Sequence, residues 1–167
     1  MALEFEVDQV LAVDGEDYVV RAVTRLVATH FSWQLAELAP AAGGETMLLA
    51  EGDGQLYEAR LLQAELEPLS STAEGQGAEV AVGQWQLRLL SRRPGSLEKR
   101  VRGATTVFDR GEVLEYGPAD ASGAAAAAER PPSATPDRAV VFASERNRVG
   151  FAAERRPSSG IAVYGRA

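Results

Sequence analysis

The chain contains no cysteine and a single histidine, His30. A disulfide, a thiolate nucleophile, a Cys-containing zinc site and a Cys/His catalytic pair are therefore excluded, and with them most metal and nucleophile chemistry. Aromatic residues make up 7% of the 167 positions, and no apolar run approaches the roughly 18 residues that a membrane-spanning helix needs. Lysine is also scarce: Lys99 stands alone beside sixteen arginines, which with the many Ala and Gly reflects codon bias before it reflects function. The first residues, Met1-Ala-Leu-Glu-Phe-Glu-Val-Asp, carry early carboxylates and have neither the basic nor the apolar region of a secretory signal. A cytoplasmic location is the expectation.

What is present fits one compact domain able to bury a core: 17.8 kDa, 46% hydrophobic and 25% charged, with sixteen Gly and eight Pro that lean away from long helices. The net charge of -7 argues against non-specific nucleic-acid binding, which needs a basic excess to neutralise phosphates. That charge is unevenly spread. Residues 1–80 hold fifteen acidic and three basic side chains, whereas residues 81–167 hold nine acidic and fourteen basic. Such polarity suits halves that face each other, protomers that associate head to tail into a homo-oligomer, or faces that meet different partners.

Alternation of apolar and polar residues dominates the chain and predicts strands. Val10 to Val13 and Tyr18 to Leu26 are joined by Asp14-Gly15, a pair suited to the positive φ angles of a tight hairpin turn. Phe31 to Leu38, Glu45 to Ala50 and Gln55 to Leu62 follow, the last two joined by Glu51-Gly52-Asp53-Gly54. A helix over Gln55 to Glu67, stopped by Pro68, competes with the fifth strand. Glu79 to Leu90 reads as one strand, and Ala104 to Phe108 with Glu112 to Tyr116 as a hairpin turning at Asp109-Arg110-Gly111. Arg138 to Ser144, Val149 to Glu154 and Ile161 to Tyr164 complete the set. The expected fold is all-β, about ten short, mostly antiparallel strands in a sandwich or barrel-like arrangement. It divides into an acidic N-terminal meander over 1–69, a polar connecting loop over 70–78 and a β-rich half over 79–167 with a low-complexity loop at 119–137, all within one domain of two related halves.

Val13-Asp-Gly-Glu-Asp-Tyr-Val-Val-Arg-Ala-Val23, Phe31-Ser-Trp-Gln-Leu-Ala-Glu-Leu38 and Met47-Leu-Leu-Ala-Glu-Gly-Asp-Gly54 resemble the motifs of the bacterial family called domain of unknown function 4178. Glu115-Tyr116, Val141 to Ser144, Val149 to Glu154 and Ile161-Ala-Val-Tyr-Gly165 are similar to its C-terminal pattern. The chain departs from that pattern with Ala22 in place of a glycine, Gln34 and Glu37 in place of a glutamate two after the tryptophan, and Leu48 in place of a tryptophan. The resemblance implies a β-rich domain without established catalysis, encoded near membrane-stress proteins, small membrane proteins and polyamine synthase-like enzymes.

Candidate site residues each have a plainer reading. Trp33 and Trp85, one in each half, suit either a ligand cleft between β layers or core packing. Glu37, Glu51 and Asp53 suit acid/base work or a hard cation, or else a solvated turn. His30 has no catalytic partner adjacent in sequence. Arg92, Arg93, Lys99, Arg100 and Arg102 surround Pro94-Gly95 and suit an anionic membrane surface or an acidic partner, or else a solvated hairpin tip. No cofactor and no metal are implied. The leading expectation is a non-enzymatic interaction module with a protein partner, an accessory of a bacterial envelope or membrane-stress system in peripheral contact with anionic membrane. The alternatives are a binder of a small, polyamine-like cation and a carboxylate-based hydrolase.

Overall fold

Asp14-Gly15 and Asp53-Gly54 both adopt positive φ at each position, 52° and 86° in the first pair and 54° and 74° in the second, so each closes a hairpin as the sequence predicts. The computed structural model describes residues 3–71, 75–104, 106–119 and 135–166. Its strands are β1 (Gln9–Val13), β2 (Glu16–Ala28), β3 (Phe31–Pro40), β4 (Met47–Gly52), β5 (Gln55–Leu61), β6 (Glu79–Val82), β7 (Trp85–Val101), β8 (Val107–Pro118), β9 (Arg138–Ala143), β10 (Arg148–Arg155) and β11 (Ile161–Arg166), with one short helix α1 (Leu66–Ser70). The fold is all-β. Eight strands close into an antiparallel barrel in the order β2-β3-β4-β5-β10-β9-β8-β7, sealed by pairing of β7 with β2. Three more lie outside it: β1 and β11 extend the sheet beyond the first part of β2, and β6 flanks the start of β7. Part of the expected low-complexity loop and of the polar connection falls outside the described residues.

Strand boundaries in the second half differ from expectation. Gly83, at φ 58°, turns the chain between Val82 and Trp85, so Glu79 to Leu90 is two strands. Asp109-Arg110-Gly111 is no turn: β8 runs straight through it, and a side chain at Gly111 would run into the Ala143 carbonyl oxygen of β9. Pro94-Gly95 likewise lies inside the seventeen-residue β7. The β2–β7 ladder begins at Gly95, just past a proline that has no N–H to give, and a Cβ at Gly95 would come within 2.5 Å of the Val27 carbonyl oxygen. These glycines face each other across β7 and β8; they serve close strand approach, a need that reads in sequence like a turn. Over Gln55 to Leu61 the strand prevails over the helix, and Pro68 sits in the first turn of α1, where its missing N–H leaves no intrahelical bond unmade.

Alternation along each strand sends side chains to two sides, and three apolar clusters result. Leu26, Trp33, Leu35, Ala50, Tyr57, Leu97, Val113, Val140, Phe142, Phe151 and Ala153 draw on all eight barrel strands and fill the lumen. Trp33 packs at 5.1 Å from Tyr57 and 5.7 Å from Phe151 between ring centroids. On the outer face, α1 covers a second cluster that includes Leu69, Trp85, Leu87 and Tyr116, and the buried Tyr116 hydroxyl donates to the Leu69 carbonyl at 2.5 Å. A third outer cluster, beneath the N-terminal residues, gathers Phe5, Leu11, Val20, Leu38, Leu49 and Leu56.

The polar halves of the sequence meet in the fold. Lys99 lies 3.7 Å from Glu37, Arg102 3.0 Å from Asp8 and Glu98 3.7 Å from Arg25. Arg156 bridges Asp14 at 2.9 Å and Glu58 at 3.0 Å. Lys99, Arg102 and Arg156 of the second half thus partner acidic residues of the first, and Arg25 of the first half partners Glu98 of the second.

Candidate functional site

Both tryptophans are packed into apolar clusters. Trp33 is lumen packing, and Trp85 belongs to the cluster under α1, with the Arg60 guanidinium 5.0 Å above its ring. Arg60 also binds Glu65 at 2.8 Å, which holds that carboxyl down at about 2. Glu37 is engaged by Lys99. The basic residues do not form one patch. Arg92 and Arg93 are separated from Arg100 by about 25 Å along β7, at about 3.3 Å per residue, and Arg100 binds Glu98 at 2.8 Å. The expected hairpin tip between them is continuous strand. His30 sits exposed in the β2–β3 turn at φ 71°.

Of the carboxylates singled out in sequence, Glu51 is the one found lining a groove among the described residues. It lies one residue before the end of β4 on the outer face, opposite in sense to the inward Ala50, and is 6% exposed. The groove, about 800 Å³, is lined by Leu3 and Glu4 of the N-terminal segment, by Glu51, Gly54, Gln55 and Leu56 of the β4–β5 hairpin, and by Pro157, Ser158, Ser159, Ile161 and Val163 of β11 and the connection leading to it. The 157–159 wall is held by backbone and side chain together: Arg156 N–H donates to the Leu56 carbonyl, and the Arg156 guanidinium ties Asp14 and Glu58. Asp14 in turn donates its N–H to Gly160.

Among the described residues, Glu51 has only neutral donors. Gly54 N–H reaches Oε1 at 3.1 Å and Gln34 Nε2 reaches Oε2 at 3.4 Å. Burial raises its pKa above the ordinary carboxylate value; those two hydrogen bonds oppose the rise, and the nearby Asp53 and Glu4 carboxylates add to it. The lining holds two charged side chains, Glu4 and Glu51, both acidic, on walls otherwise aliphatic, amide and hydroxyl.

Two further polar constellations were not legible in sequence. Glu115 lies on the same side of β8 as the lumen residue Val113 and is buried near one mouth of the barrel, 3.2 Å from Arg138. Burial and the Asp53 charge raise its pKa, while Arg138 and a hydrogen bond from the Trp33 side chain pull the other way. Asp109 accepts from the Ser144 hydroxyl at 2.5 Å and the Asn147 amide at 2.6 Å, with Arg146 at 3.6 Å, and its pKa falls to about 2. Ser144 Oγ also accepts from the backbone N–H groups of Arg146 and Asn147, so this network shapes the β9–β10 turn. Alternation could have flagged Glu115 as a charge in an inward row; nothing local marks Asp109, whose partners lie 35 and 38 residues away.

Among the described residues no helix is long and apolar enough to cross a membrane, and no cluster of three or more acidic or histidine side chains is arranged to hold a metal. Comparison with protein-family models, with curated proteins and with solved structures returns no match for this chain.

Proposed function

We propose that this protein is a binding module that holds a small organic cation, an aliphatic amine of the polyamine type, in the groove beside Glu51. The observation that carries this reading is a buried carboxylate whose charged neighbours are both acidic, placed in a groove with aliphatic walls. A desolvated carboxylate without a cation is costly, and an incoming ammonium supplies what the described residues around Glu51 do not. Leu3, Leu56, Ile161 and Val163 then suit methylenes, and Ser158 and Ser159 suit a second polar end.

Calorimetry with cadaverine, a five-carbon diamine, tests the reading against 1,5-pentanediol, its uncharged counterpart. The diamine is expected to bind and the diol not to. Binding of a cation favours the ionised form of Glu51, so where Glu51 is partly protonated it releases protons, seen as a heat that varies with the buffer's own ionisation enthalpy. Affinity rises as pH climbs through the raised Glu51 pKa. Glu51→Gln is expected to weaken the diamine at least tenfold and to remove the proton release. Equal binding of diamine and diol, or an unaltered affinity in Glu51→Gln, would sink the proposal.

A second reading, protein recognition, is favoured by β11. It is an edge strand of the sheet, and Tyr164 on it is 68% exposed beside a half-exposed Val163. An exposed edge with apolar side chains is suited to accepting a partner's strand. Tyr164→Ala, outside the groove lining, is expected to weaken capture of such a partner at least tenfold and to leave cadaverine binding within about threefold. Capture that persists unchanged in this variant refutes the edge-strand reading.

A further inference from the structure

Residues Leu3 to Glu6 lie against the barrel without joining its ladders. From Leu3 to Phe5 the backbone is held by side chains of β2 and β3. Gln34 Oε1 accepts the Phe5 N–H at 3.1 Å, Gln34 Nε2 donates to the Leu3 carbonyl at 3.4 Å, and Arg25 Nη2 donates to the Phe5 carbonyl at 2.8 Å. Gln9 adds a bond to the Glu4 carbonyl at 3.3 Å and another to the Glu6 N–H. The Phe5 ring is wholly buried in the third cluster. Leu3 and Glu4, just beyond that anchor, form one wall of the Glu51 groove.

The same Gln34 nitrogen serves two acceptors, the Leu3 carbonyl and Glu51 Oε2, each at 3.4 Å. The amide has one hydrogen for each, and both bonds are long, so neither by itself fixes the amide firmly. We propose that Leu3–Phe5 is a strap that closes over the occupant of the Glu51 groove, with Phe5 as its fixed point and Gln34 as the positioning residue that couples strap to carboxylate. This inference rests on the reading of the groove as a cation site. An ammonium that holds Glu51 in its ionised form strengthens the charge-assisted Gln34 Nε2–Glu51 bond and so locks the amide whose Oε1 and second N–H hold Phe5 and Leu3; binding therefore tightens the strap, and by reciprocity a tight strap retains the ligand. The strap can open at little expense to the rest of the fold, because it belongs to no ladder.

The test is amide hydrogen exchange on the full chain, with and without saturating cadaverine. In the parent protein the Phe5 amide, which bonds Gln34, is expected to exchange at least tenfold more slowly with the diamine bound, while amides of Leu11 and Val20 stay unchanged. Gln34→Leu keeps the volume but removes both ends of the latch. Its Phe5 amide is expected to exchange about tenfold faster in the free protein, to gain no protection on binding, and cadaverine should dissociate about tenfold faster. Gln34→Glu serves where the leucine variant fails to fold, since it still accepts the Phe5 N–H yet cannot donate to Leu3, and it too should lose the ligand-induced protection. Cadaverine binding that leaves Phe5 exchange unchanged overturns the strap and spares the groove. Absence of any cadaverine binding overturns the groove reading, and the coupling with it.

Discussion

Gly52→Ala is expected to destabilise the protein by about 3 kcal/mol, the upper range for forcing extra volume into a packed core. Gly52 pairs with Trp33 across β3 and β4, and a Cβ built on it lies 2.6 to 2.7 Å from three atoms of the indole ring. The ring cannot retreat, because Tyr57 and Phe151 hold it from other strands of the lumen. Backbone conformation is not the cause, since φ at Gly52 lies outside the left-handed region. Gly54→Ala supplies the contrast: it has φ 74° and open space around the new methyl, so it is expected to cost about 1 kcal/mol through strain alone. Chemical denaturation of both variants checks the ranking. Adding Trp33→Leu to Gly52→Ala should recover part of the loss, a non-additivity that identifies the clash. A Gly52→Ala protein with the parent midpoint would show that the lumen is looser than this geometry requires.

Glu115→Ala is expected to cost about 3 kcal/mol at pH 7, because it takes the ion-pair partner from the mostly buried Arg138 guanidinium, which keeps the Asp137 carbonyl, and the acceptor from the Trp33 side chain. Glu115→Gln keeps an oxygen for one of them and should cost less. The pH dependence separates charge from packing. The folded-state pKa of Glu115 is raised, mainly by burial, so the folded protein holds a proton that the unfolded chain has already released. Its contribution is present in full below the ordinary carboxylate value and is lost as pH rises through the raised one. Glu115→Gln should therefore flatten the decline in stability above pH 4.5, measured as denaturation midpoints across pH 4–8. An unchanged slope would mean that Glu115 titrates as an ordinary surface carboxylate.

These two positions show how differently parts of the protein could be read from the chain. Trp33 was legible as an inward residue of an alternating strand, but its partner Gly52 reads locally as part of an Asp-Gly turn, since the need for a missing side chain arises only when β3 and β4 align. Gly95 and Gly111 misled in the same way. Each was expected at a turn, and each serves a close pass between strands. Glu51 was visible as one carboxylate of a turn, while the groove above it is made by Leu3, Glu4 and residues 157–163, more than a hundred positions apart. Glu115 and Arg138 adjoin only because β8 and β9 pair.

By itself the sequence determined the chemistry that is missing, with no thiol and one histidine, and the all-β class, because period-two alternation and the Asp14-Gly15 and Asp53-Gly54 turns are local properties. It also determined the polarity of charge along the chain. The tertiary structure decided the rest: that the sheet closes through β2 and β7, that Lys99, Arg102 and Arg156 are partnered by acids of the first half, and that Glu51 lines a groove with no cation beside it among the described residues. The physical reason is that closure, ion pairing and burial are relations between segments far apart in sequence, and no local pattern encodes which carboxylate will be left buried with only neutral donors for company.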